Sequence, residues 1–239
     1  MKRIVSFLIA LAAVVAVLFC QLPSAKASNE SLSGSTVVFG HYEQDNDLTN
    51  GAEPIEWMVL DEKDGKGLLI SKCALDLQPF NTENANVAWD SCTLRTWLNE
   101  TFFNEAFNEE EQALIPLTAV NAADAKNPEK NVDPGESTED HLFLLSINEV
   151  NKYFTSDDER LCFPTAYLQT KDTCFMSEEG HCWWWLRSPG DSSHSAALVD
   201  FFGFVDCYGY DVYYDFYCVR PAMWLDLTGI GSLDTQTGS

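Results

Sequence analysis

The chain has 239 residues, 46% hydrophobic and 13% aromatic, with a formal net charge of -23 from 14 basic and 37 acidic side chains. That apolar content supports a packed core and excludes global disorder. The acidity excludes nucleic acid and anionic membrane surfaces as partners, because phosphate binding needs clustered Lys and Arg.

Lys2 and Arg3 precede an apolar run over residues 4–19, and Ala25-Lys26-Ala27 forms a small-x-small cleavage site. This pattern predicts a signal peptide over residues 1–27. The run is short for a membrane span, which takes roughly 20 residues. Lipid attachment at Cys20 is disfavoured by the bulky Phe19 before it. The mature chain is then expected to be secreted or held at the cell surface, without a membrane span. Residues 28–35 read as a mobile polar leader, 36–226 as a single domain and 227–239 as a flexible tail.

Within the domain, residues 36–43 read as a strand, followed by a turn at Asn50-Gly51. Residues 55–61 and 67–72 read as two strands joined through Asp64-Gly65, so the domain starts as a β-meander. The period then changes. Residues 91–99 and 109–115 suit helices, with Leu94, Trp97 and Leu98 on one face. Residues 121–139 form a charged loop containing Pro and Gly. Ser146 and Glu149 stand at capping-box spacing, which predicts a helix over residues 146–154. From Cys182 to Leu225 the chain is aromatic, punctuated by Gly and strand-like. The fold class expected is α+β.

No catalytic motif is present. The four histidines are far apart, and neither a G-x-S-x-G elbow, a phosphate loop nor a dinucleotide fingerprint occurs. Ser192, Ser193 and His194 are consecutive, and side chains of adjacent residues on an extended chain point apart. The acidic stretch from Asp45 to Glu56 lacks the glycine that a calcium loop requires at its sixth position. Seven cysteines follow the leader, an odd number, at spacings that match no zinc finger or ribbon. No cofactor and no metal are expected.

One segment stands apart. Residues 200–218 read D-F-F-G-F-V-D-C-Y-G-Y-D-V-Y-Y-D-F-Y-C, with nine Phe or Tyr and four Asp. A strand pair with one buried face accommodates only alternate aromatics. The mixture is the chemistry of a binding surface, where rings give contact area and Asp gives hydrogen-bond acceptors. The expected ligand-binding residues are Asp200, Phe201, Phe202, Phe204, Asp206, Tyr208, Tyr210, Asp211, Tyr213, Tyr214, Asp215, Phe216 and Tyr217. Trp183, Trp185, Arg187, Arg220 and Trp224 are expected to be structural, the arginines by stacking on Trp or pairing with a core carboxylate.

W-W-W-L-R-S-P-G at residues 183–190 and V-R-P-A-M-W-L at 219–225 resemble the exported bacterial proteins grouped as domain of unknown function 6273. P-I-E-W-M-V-L-D, L-L-I-S-K, W-D-S-C-T-L-R-T-W-L-N and F-L-L-S earlier in the chain agree, over about residues 36–226. The resemblance implies a C-type-lectin-like fold of the formylglycine-generating-enzyme type and no established activity. Such folds also serve as variable proteins of diversity-generating retroelements. Adenine randomisation there yields a restricted residue set without Glu, Lys, Gln, Met or Trp, and residues 190–222 contain none of these five. The reading is a non-catalytic binder of an extracellular protein or glycan. The alternatives are an enzyme on that fold using Cys207 or Cys218, and an envelope module without a ligand. The cleavage site predicts that mass spectrometry of the exported protein will find Ser28 at its N-terminus; a lipidated Cys20 terminus would overturn this.

Overall fold

A computed structural model describes residues 33–229. The signal peptide, Cys20, most of the leader and most of the tail lie outside the described residues. Twelve strands follow in order: β1 (Thr36–Tyr42), β2 (Glu53–Lys63), β3 (Lys66–Ser71), β4 (Asp76–Leu77), β5 (Thr118–Val120), β6 (Thr138–Asp140), β7 (Leu142–Phe143), β8 (Trp184–Pro189), β9 (Ser195–Val199), β10 (Val205–Asp211), β11 (Cys218–Val219) and β12 (Ala222–Asp226). They make two five-stranded sheets, ordered β1-β2-β3-β12-β7 and β10-β9-β8-β11-β4, and the hairpin pair β5-β6. The fold is α+β, with mostly antiparallel pairing.

The β-meander is present as expected. β1, β2 and β3 pair antiparallel, and Asp64-Gly65 makes the tight turn between the last two. Alternation on β2 buries Ile55, Trp57 and Val59, and Trp57 Nε1 donates to Phe39 O at 2.7 Å. The chain later returns to this sheet, where β12 inserts between β3 and β7.

The helices are short. α1 (Thr93–Trp97) starts one residue after Cys92, whose thiol accepts from Arg95 N, and runs on through a π-helical turn (Leu98–Phe102) into α2 (Phe103–Ala106). The continuation beyond residue 99 was not expected. A π turn adds a residue to the repeat and lets Phe102 and Phe103 both be buried. α3 (Glu109–Gln112) and α4 (Ile147–Tyr153) each begin with a capping box, from Asn108 and Glu111 and from Ser146 and Glu149. α5 (Asp157–Arg160) and α6 (Ala166–Gln169) are single turns. Asp140, fully buried, accepts from Trp89 Nε1 at 2.9 Å, Arg95 Nε at 2.6 Å and Thr138 Oγ1 at 2.7 Å. That carboxylate ties the first helix to β6.

The second sheet carries the aromatic half. β8 and β9 are buried along their whole length, as in a sheet covered on both faces. Only residues 205–211 and 218–219 of the aromatic segment are strand; the rest is turn and loop, so period-2 reasoning applies to less of it than expected. Trp184 and Trp185 are fully buried, whereas Trp183 and Trp224 are only half-buried. Trp224 packs against the core only in part: on β12 it is half-buried while Met223 and Leu225 are buried. Trp185→Ala removes a ring packed against Phe80 and Tyr217 and a hydrogen bond to Gln78 O. It is expected to cost about 3–5 kcal/mol in urea unfolding, and Trp224→Ala about 1 kcal/mol. Equal losses would contradict this placement.

Candidate functional site

The exposed rings of the aromatic segment come from three places: the turn before β10, β10 itself and the loop after it. β10 is the edge strand, paired with β9 through Asp206–Leu198 and Tyr210–Ala196. Three residues of β10 face one of β9 between those pairs, which is a bulge. Gly209 makes it possible. Its φ is +68°, and a Cβ there would sit 2.1 Å from Ala196 O.

The rings form a continuous sheet of contacts with Trp183 at its centre. Trp183 meets Phe201 at 5.3 Å, Tyr210 at 5.4 Å and Tyr217 at 5.6 Å between centroids. Phe201 leads outward to Phe202 at 4.5 Å, and Phe202 to Phe204 at 6.4 Å. On the other side Tyr217 meets Phe216, which stacks on Tyr214, and Tyr214 meets Tyr213. Phe202 and Phe204 are 58% and 56% exposed, and Tyr210 and Tyr213 are also exposed. Phe201, Tyr214 and Phe216 are half-buried beneath them.

Several expected site residues have other roles. Tyr217 is 3% exposed and forms the floor of the sheet of rings, pinned between Trp183 and Trp185. Burial holds its phenol well above the usual range. Asp200 and Asp206 do not offer all their oxygens outward. Asp200 Oδ1 accepts from Phe202 N and Phe204 N, and Asp206 Oδ1 from Tyr208 N and Gly209 N. These carboxylates shape the turns that present the rings. Asp211 lies 3.8 Å from His194 Nε2, whereas Asp215 is exposed. Tyr208, on the bulge, joins no ring contact among the described residues; Lys130 Nζ sits 3.3 Å from its ring centroid. Phe175, 56% exposed, was missed. It meets Trp183 at 6.5 Å and Phe201 at 6.2 Å. It stands in a polar stretch of sequence, and no spacing rule links it to residue 183. The role of Trp183 as hub was equally hidden within a run of three tryptophans.

The buried arginines lie behind this surface. Arg187 is 1% exposed, ion-paired with Glu149 through both Nη atoms, and donates to Leu144 O at 2.8 Å. Arg220 donates from Nε to Ser71 O at 2.9 Å, with its guanidinium 5.0 Å from the Trp184 ring.

The described clefts lie elsewhere. An open depression of about 620 Å³ is lined by Asp61, Lys63, Lys66, Lys152, Tyr153 and Trp224 among others. None of the ring-bearing residues of the aromatic sheet lines a described depression, nor does Cys207 or Cys218. Glu43, Asp45 and Glu53 bring carboxylate oxygens within 4.8 Å of one another. Those oxygens already accept backbone N–H groups of the same loop.

Neither a curated protein nor a solved structure matches the chain. The family described as Domain of unknown function (DUF6273) matches over residues 64–227, which takes in β3 through β12 and leaves out β1 and β2. The W-L-R-S-P and V-R-P stretches within that span are the strands and loop that carry the two buried arginines, and the chain belongs to this DUF6273 family.

Proposed function

We propose that this chain is an exported, non-catalytic binding protein that captures an extracellular protein or glycan on the ring surface around Trp183. The observation that carries the reading is the exposure of Phe175, Phe202, Phe204, Tyr210 and Tyr213 in one connected set of ring contacts. A soluble protein does not leave such a patch uncovered without a use for it. None of the described depressions is lined by these rings, and a broad exposed patch suits a macromolecule over a small ligand. Rings supply area at low entropic cost, and carboxylates bonded into their turns hold them in place. Among macromolecules an extended, mostly apolar ring surface favours a protein over a glycan.

A C-type-lectin-like plan accords with the return of β12 to the first sheet and with a variable-looking segment displayed at the edge of the second. Diversification by a retroelement is supported by composition. The five residues that adenine randomisation cannot produce are missing throughout residues 190–222, and the exposed rings on β10 and its flanking loops fall in this window. That reading predicts a reverse-transcriptase gene and a near-copy of the DNA encoding residues 190–222 beside this gene. A genomic neighbourhood with neither would remove the diversification step but leave the binding surface.

Replacing Phe202, Phe204 and Tyr213 together by Ala is expected to leave stability within about 0.5 kcal/mol per site. Capture from the native medium, read by pull-down and by a glycan array, is expected to fall by about 2 kcal/mol or more for each anchor. Unchanged capture, or an unfolded triple variant, would overturn the proposal.

A further inference from the structure

Five of the seven described cysteines lie near one another along adjoining segments of backbone. Cys182 N–H donates to Cys162 O at 2.8 Å, and Cys218 N–H donates to Trp183 O at 2.9 Å. Met176 bridges Cys182, which brings the segment holding Cys174 alongside. In this frame the thiols neighbour one another in succession, Cys162 beside Cys182, Cys182 beside Cys218 and Cys218 beside Cys174, while the Cys162 thiol donates to Phe163 O at 3.6 Å. Cys73 stands beyond the inner end, where Ala74 runs beside Pro164. The outer members, Cys174 and Cys73, are half-buried, and the three between them are buried.

The shape of the row decides what it can do. A tetrahedral thiolate centre with metal–sulfur bonds of about 2.3 Å needs its sulfurs mutually close. No three of these thiols lie within 4.8 Å of one another among the described residues. A row in which each sulfur touches only the next suits thiol–disulfide exchange, where a thiolate attacks one sulfur of a disulfide and expels the other.

A buried cation stands beside the row. Arg220 is 1% exposed and belongs to none of the ion pairs among the described residues. Its Nη1 is buried with no hydrogen-bond partner. An uncompensated buried charge is costly. Burial raises the thiols of Cys73, Cys162 and Cys182, and the guanidinium opposes that rise. The hydrogen bond from Cys218 lowers the Cys174 thiol below its usual range. Cys174, half-buried at the outer end of the row, is its accessible nucleophile, and Arg220 is the counter-charge for thiolates formed within it.

We propose that Cys174, Cys218, Cys182 and Cys162 form a thiol–disulfide relay, in which Cys174 accepts oxidising equivalents from an external disulfide, carried by a small molecule or a protein, and the row passes them inward. Cys174 thiolate attacks the donor disulfide, forming a mixed disulfide and releasing one donor thiol. Cys218, giving up its proton, attacks Cys174 Sγ, forms the Cys174–Cys218 disulfide and releases the second donor thiol. Cys182 then attacks Cys218 and frees Cys174 for a second donor. Cys162 attacks Cys182 and frees Cys218, which resolves the new mixed disulfide on Cys174. Four protein thiols and two donor disulfides become two protein disulfides and four donor thiols.

The test uses the full reduced chain and glutathione disulfide, with acid quenching, differential alkylation and peptide mapping over time. A glutathione adduct is expected first on Cys174, then a Cys174–Cys218 disulfide. The end product is expected to contain Cys174–Cys218 and Cys162–Cys182, with Cys73, Cys92 and Cys207 still thiols. Before oxidation Cys174 should alkylate about tenfold faster than Cys73 at neutral pH, although both are half-buried. In Cys174→Ser, oxidation of the three buried thiols should slow by about tenfold or more. The wild-type time course is independent of whether that variant folds. A first adduct at Cys73, end-product disulfides through Cys92 or Cys207, unchanged oxidation in Cys174→Ser, or stoichiometric zinc uptake by the reduced thiols would each overturn the relay. These readouts do not involve the ring surface, so binding and relay fail separately.

Discussion

The bidentate pair between Arg187 and Glu149 holds the two halves of the molecule in register. Arg187 sits in the middle of β8, the central strand of the second sheet, and its Nη1 also donates to Leu144 O beside β7 of the first. Glu149 closes the capping box of α4 with the same Oε2 that pairs with the arginine. Ile147 N donates to Ser188 Oγ and Arg187 N to Leu145 O, so the start of the helix is bonded to the strand at three successive levels. Removing one partner of such a buried pair typically costs 3–5 kcal/mol, because the other charge is left without compensation. Arg220 spans the sheets differently, through Ser71 O and the faces of Trp184 and Phe154, with no acid to match it.

The ring surface depends on that register. With β8 fixed, Trp184 and Trp185 are enclosed between layers and Trp183, one residue earlier, is left at the border where β8 begins. The rings of the turn before β10 and of the loop after it then meet across Trp183 instead of standing apart. The glycines finish the shape. A Cβ at Gly203 would sit 1.9 Å from Asp157 O, so α5 and the turn that presents Phe202 and Phe204 approach as closely as backbone allows. Asp200 and Asp206 close turns beside these rings, which leaves the ring face more apolar than the bare composition implies.

Local signals in the sequence were legible where one physical rule dominates. Alternation and the Asp64-Gly65 turn placed the meander, and Ser146 with Glu149 placed α4, because turn and cap chemistry act within a few residues. The arginines were legible as structural because a charge inside W-L-R-S-P must be stacked or paired. What was not legible is set by contacts distant in sequence. Nothing near residue 175 indicates that Phe175 meets Trp183 and Phe201. Tyr217 reads like its neighbours, yet Trp183 and Trp185 close over it. The π turn after α1 has no composition of its own, and Trp224 looks like a core residue until β12 is seen to leave it half-buried.

The thiol row and the ring surface share a backbone. Cys174 precedes Phe175, Cys182 precedes Trp183 and Cys218 follows Tyr217. The ring contacts Phe175–Trp183 and Trp183–Tyr217 therefore lie over the sulfur contacts that join Cys174, Cys218 and Cys182. As thiols, these segments are held by hydrogen bonds and packing alone. As disulfides, they are joined covalently at the residues next to the rings, and the relative freedom of Phe175 and Tyr217 falls. Anchors that are already fixed lose less entropy when a ligand covers them. In the proposed relay the oxidised row holds the segments bearing Phe175, Trp183 and Tyr217 more rigidly, and in the proposed binding role that pre-organises the rings without any sulfur touching a ligand.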